Sequence, residues 1–153
     1  DPNRVRDLTP QLPNALHGTM SIRRRFVNNT NAPITRLRFR LVDFSGFLVP
    51  GPAIADLRAL DSMTITVNGI NDSATCAAKI PAETAPCSVT VFGTTLEQPP
   101  VQSLGGAINS SMTAGTITVP TPLLPGQSIN LQFLVGVQQT GAFKFFFNIE
   151  ALP

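Results

Sequence analysis

Apolar and polar residues alternate along much of this chain, and the alternation is strongest near its two ends. In SINLQFLVGV (128–137), Ile129, Leu131, Phe133, Val135 and Val137 fall on one side of an extended strand, with Asn130 and Gln132 on the other. After QQTG comes AFKFFFNIEAL (142–152), where Phe143, Phe145, Phe147 and Ile149 alternate with Lys144, Phe146, Asn148 and Glu150. The two runs read as a β-hairpin with one buried face. An opening pair reads the same way: Met20, Ile22 and Phe26 share a core face with Leu37, Phe39 and Leu41 across the loop NNTNAP (28–33). Weaker strands are expected near 61–70, 87–96 and 114–120, with LVPGPA, EQPPVQSLGG and PTPLLPGQ as the loops between them. No helical period runs for a useful length, and ADLRAL (55–60) makes one turn at most. The expected fold is all-β: an Ig-like antiparallel β-sandwich of about seven or eight strands.

The opening pair also carries most of the positive charge. With Val27 paired to Ile34, Arg25 lies opposite Arg36 and Arg23 opposite Arg38, and Arg40 continues the same face. Five arginines then share one exposed sheet face, while Arg24 points toward the core, at a bulge or beside a carboxylate such as Asp43 or Asp56. Like charges opposed across strands are destabilising. Two readings follow. The row is a solvated face that guards an edge, or it docks a carboxylate-bearing partner, another subunit or an anionic polysaccharide. No aromatic platform alternates with the arginines, so nucleic acid is not an expected partner.

Composition places this pattern in a setting. The chain has 153 residues, of which 13% are charged, with ten Phe, no Trp or Tyr, and a formal net charge of +2. That length suits a single core, here assigned to residues 15–153. Residues 1–14 form an extended arm: Pro2, Pro10 and Pro13 interrupt it, yet Val5, Leu8 and Leu12 offer something to bury. The arm packs on its own domain or on a neighbouring copy, and the second is the expectation carried forward. The chain opens on Asp1 and holds no long apolar run, so neither a signal peptide nor a membrane span is read in it. A processed exported chain has this form, as does a trimmed piece. Cys76 and Cys87 bracket the proline-containing loop AAKIPAETAP without metal-site spacing. A disulfide is expected, against two separately buried thiols, and it favours export.

Catalytic chemistry finds no footing. His17 is the single histidine, and LHGTMS offers no triad spacing. Acidic residues are scattered, LGG (104–106) lacks the Lys-Ser/Thr of a phosphate loop, and no cofactor or metal is expected. Asn28, Asn71 and Asn109 match the glycosylation sequon. RRRFVNNTNAPITRLRFRLVDF and the stretch from GTTLEQPP to NIEALP resemble a β-rich module found near the C-terminus of predicted secreted bacterial surface proteins, mostly without assigned function. The resemblance covers residues 19–48 and 88–153 and implies an extracellular accessory or structural role without catalytic residues. The expected function is therefore a non-catalytic extracellular module that self-associates as a homo-oligomer or polymer. It would be a filament or surface-layer subunit joined through the N-terminal arm. The alternative is a cell-surface or glycan-binding adhesion module, against which stands the absence of Trp and Tyr for sugar stacking.

Overall fold

The computed structural model describes residues 3–9, 12–45, 53–97 and 102–153. Ten strands run through them in chain order: β1 (Arg4–Asp7), β2 (Thr19–Val27), β3 (Arg36–Phe44), β4 (Asp56–Leu60), β5 (Ile65–Ile70), β6 (Cys87–Val91), β7 (Thr95–Glu97), β8 (Ser111–Thr113), β9 (Ser128–Gln139) and β10 (Phe145–Leu152). A single helical turn, α1 (Ser73–Ala77), precedes β6. One antiparallel sheet has the order β1-β2-β9-β4 and a second the order β10-β3-β8-β7, while β5 and β6 make a separate two-stranded ribbon. The all-β expectation holds. The strand count exceeds the seven or eight expected because β1, β7 and β8 have only three or four residues each, too few for a period-2 pattern to register.

Both expected hairpins are absent. β2 pairs with β9, Ile22 opposite Phe133 and Val27 opposite Ser128, whereas β3 pairs with β10, Phe39 opposite Ile149. The chain therefore crosses from one sheet to the other between β2 and β3, and again between β9 and β10. The reason lies in the apolar faces. A flat hairpin of β2 and β3 presents one wide face that needs a further layer, while strands in facing sheets bury their faces against each other. The rings of Phe26 and Phe39 lie 4.8 Å apart across that gap, those of Phe39 and Phe133 5.0 Å, and those of Phe133 and Phe147 5.3 Å. Phe39, Leu41, Leu131, Phe133 and Val135 are fully buried in this core. The crossing after β2 is held by Asn28, a buried residue whose amide donates to the carbonyls of Ala32 (2.9 Å) and Leu123 (2.8 Å). That burial removes Asn28 from the candidate glycosylation sites.

Two smaller expectations also fail. Residues 56–60 of ADLRAL are strand β4, their Leu57 and Ala59 buried against β9, so the helical turn lies instead at α1. Residues 114–120 contain no strand; the run ends in turns closed by Ile117 onto Ala114 and by Thr118 with Thr121. The loop LVPGPA falls largely outside the described residues.

The N-terminal arm does form an element. β1 pairs with β2 of the same chain, Arg4 opposite Ile22 and Asp7 opposite Thr19. Arg6 fastens it by donating to the carbonyls of Thr19 (2.9 Å) and His17 (2.8 Å). The return is made at Gly18, whose φ of +80° and close approach to the Asp7 carbonyl leave no room for a Cβ. Val5 is half-buried, but Leu8 and Leu12 remain 69% and 49% exposed.

Candidate functional site

The five arginines read as one face are divided between the two outer surfaces of the sandwich, because their strands belong to different sheets. On the second sheet, Arg36, Arg38 and Arg40 alternate with the buried Leu37, Phe39 and Leu41. They do not stand alone. Glu150 on β10 lies opposite Arg38 in register, accepts from its Nε at 2.6 Å, and reaches Arg40 at 2.6 Å. Glu97 on β7 lies 3.3 Å from Arg36 and 3.7 Å from Arg38. Two acids thus bridge three arginines. The hydrogen bond from Arg38, with a second from Arg40, holds the Glu150 carboxyl below the usual glutamate range. The sequence reading missed these acids, since Glu97 and Glu150 are 61 and 112 residues away from the arginines they meet.

Arg23 and Arg25 have a different environment. They project from the outer face of β2, beside Asn130 and Gln132 of β9. The ribbon lies over this face, because Phe92, just past β6, joins the edge of β9 through hydrogen bonds to Asn130 and Gln132. Gln132 is covered and donates to the Met63 carbonyl at 2.6 Å. The ribbon carries its own small core, made of Val89, Val91 and the Cys76–Cys87 disulfide, with Ile65, Val67 and Ile70 packed against it. The expected disulfide is therefore present, its Cα atoms 5.8 Å apart. It ties α1 to β6, and Asp72 caps α1 by accepting from the Thr75 amide at 2.9 Å.

Where the apolar side of the ribbon faces the polar side of β2, a groove of about 350 Å³ remains. Arg23, Arg24 and Arg25 line one wall, Val67, Ile70, Val89 and Val91 the other, and Asn130 and Asp72 also border it. Asp72 is the one acid in the lining, and its carboxylate is occupied by the Thr75 amide and hydroxyl. The Nε of Arg23 is buried with no hydrogen-bond partner. Arg24 alternates with Ile22 and Phe26 along β2, but its side chain is exposed instead of entering the core, no bulge lies there, and it meets neither expected carboxylate: its guanidinium donates to the Arg23 carbonyl at 2.8 Å. Asp43 pairs with Lys144 and Asp56 with Arg58.

No family model, curated protein or solved structure matches this chain. The surfaces themselves must carry the functional reading.

The edges of the two sheets differ in length and guard. β1, β4 and β7, which end three of the four sheet margins, have four, five and three residues. β10 ends the fourth margin with eight residues, and Phe146, Ile149 and Leu152 on it are 59%, 54% and 51% exposed. Among the described residues no strand pairs with its outer side. His17 is exposed, and among the described residues no three His, Cys, Asp or Glu side chains gather as a metal site would require. No helix of the described residues is long and apolar enough to cross a membrane.

Proposed function

We propose that this protein is a non-catalytic, exported structural module, an Ig-like sandwich that associates with a second copy of itself along the outer edge of β10. The carrying observation is that edge. Native sheets guard their margins with short strands, charge or proline, and here the longest margin is also the most apolar. A second copy suits it because the strand is complementary to its own reverse. Placed antiparallel, the exposed Phe146, Ile149 and Leu152 of one copy meet those of the other, while Glu150 keeps Arg38 and Arg40 and Lys144 keeps Asp43. Such a contact is isologous and closes as a pair, so a filament or surface layer requires a further contact between pairs. The Cys76–Cys87 disulfide supports an oxidising, extracellular setting.

Sedimentation velocity over a concentration series tests the reading. The wild-type protein is expected as a two-copy species. The double variant Phe146→Lys, Ile149→Lys is expected to be monomeric with an unchanged far-ultraviolet dichroism spectrum, both side chains being exposed in the single copy. A wild type that stays monomeric at the highest concentration overturns the proposal, as does a variant that still pairs.

A further inference from the structure

We infer that the groove between β2 and the ribbon binds a small carboxylate that carries an apolar chain. Its two walls specify the two halves of such a ligand. Arg23, Arg24 and Arg25 present three positive charges against the single, already engaged carboxylate of Asp72. A guanidinium offers a planar fork of donors that matches a carboxylate and stays charged at every physiological pH. The remaining wall, Val67, Ile70, Val89 and Val91, offers nothing polar from its side chains and suits an aliphatic tail.

Two observations separate this groove from an ordinary basic surface. The first is the contrast within the chain: Arg36, Arg38, Arg40 and Arg58 are each ion-paired, Arg6 and Arg24 bond backbone carbonyls and Arg4 lies over the Phe143 ring, whereas among the described residues no acid pairs with Arg23 or Arg25. The second is the Arg23 Nε, which is withdrawn from solvent without an acceptor. Buried donors are almost always satisfied, and an unsatisfied one calls for a missing acceptor. A carboxylate oxygen lodged between Arg23 and Arg25 supplies it when the Arg23 side chain turns toward the groove, because no water-sized group reaches that nitrogen as it stands. The volume, near the lower end of the range for ligand pockets, limits the occupant to a small molecule or a single side-chain-sized group. A second hollow of about 590 Å³ adjoins the first, sharing Arg25, Thr75, Val89 and Asn130, but Lys79, Thr90, Gln127 and Ser128 make it a mixed surface, so the apolar tail belongs to the first groove. The site lies on the first sheet and the ribbon, with Arg24 alone reaching toward Phe145 and Phe147 of β10, and occupancy is read by resonance shifts while self-association is read by sedimentation, so either can fail without the other.

Acetate, butyrate and hexanoate serve as probes in a nuclear magnetic resonance titration at constant ionic strength, with sodium chloride as the blank. Hexanoate is expected to shift the amide signals of Arg23, Arg25, Val67, Val89 and Asn130. Affinity should rise about three- to fourfold for each added methylene. Arg23→Gln and Arg25→Gln should each weaken hexanoate binding by on the order of tenfold, as loss of a charged hydrogen bond predicts, while Arg36→Gln on the opposite face leaves it unchanged. Should Arg23→Gln disturb the fold, the exposed Arg25 carries the comparison alone. The proposal is overturned if hexanoate produces no shifts, if chloride produces the same ones, if acetate binds as well as hexanoate, or if the folded arginine variants retain wild-type affinity.

Discussion

Arg38 and Arg23 occupy strands of similar sequence, RLRFRL and SIRRRF, and end in opposite electrostatic states. Arg38 is bound by Glu150 and lies near Glu97, whereas among the described residues no acid pairs with the Arg23 guanidinium. The difference has a measurable pH signature. Glu150 titrates below its usual range in the folded protein because Arg38, and then Arg40, bonds its ionised form. The stability this provides is complete above the unfolded glutamate value, about pH 4.3, and disappears as pH falls through the lower folded value. Thermal unfolding followed from neutral to strongly acid pH should therefore show a shallower acid decline in Glu150→Gln than in the wild type. The decline should not vanish, since Asp7 and Asp72 are also lowered by bonds from Thr9 and Thr75. Superimposable acid limbs would show that the Arg–Glu cluster contributes nothing. Residue types, charge and inward or outward direction were legible in the sequence at this scale: Leu37, Phe39 and Leu41 point in and Arg36, Arg38 and Arg40 point out, as their alternation implies. Their acid partners were not, because no local signal links side chains so far apart along the chain.

Elements behave in the same divided way. The runs at β2, β3, β9 and β10 were legible as strands, and so was the loop stapled by Cys76 and Cys87. The ribbon built on that staple has a core separate from the main one. Cross-linking so short a loop is worth about 2–3 kcal/mol, and the separate core of the ribbon predicts that the benefit falls mainly on β5, β6 and α1. In Cys76→Ser, Cys87→Ser, hydrogen exchange should accelerate at Val67, Val89 and Val91 while Phe39, Leu131 and Phe133 stay protected. Equal acceleration in both groups would mean that ribbon and sandwich unfold as one unit. The expected hairpins failed at this same scale. A period of two identifies a strand and its buried face, but it is equally satisfied by a hairpin and by two strands facing each other across a core. Burial of both phenylalanine faces, together with escape from Arg–Arg opposition, favours the second.

For the whole molecule, the N-terminal arm separates two modes of assembly. β1 adds to its own sheet, and Arg4 lies over the Phe143 ring at 6.0 Å, so the arm closes one side of its own sandwich. Deleting residues 1–9 should leave a folded protein weakened by about 1–2 kcal/mol, the scale of a few lost strand hydrogen bonds. It should leave pairing through β10 intact when measured by light scattering. Conversion of the truncated protein to monomers would instead assign the joint to the arm. The architecture also explains why some features could be read in advance. Strand character, the inward or outward alternation of side chains, the disulfide loop and the concentration of arginine were determined by the sequence alone, since each depends on composition or on neighbours within a few residues; the single core expected from length was not, because the ribbon buries a small core of its own. The tertiary structure decided that β2 joins β9 and β3 joins β10, that one arginine group meets Glu97 and Glu150 while another lines a groove, and that β10 ends a sheet. Those outcomes depend on which distant surfaces bury each other best, a comparison that exists only when the entire chain is packed together.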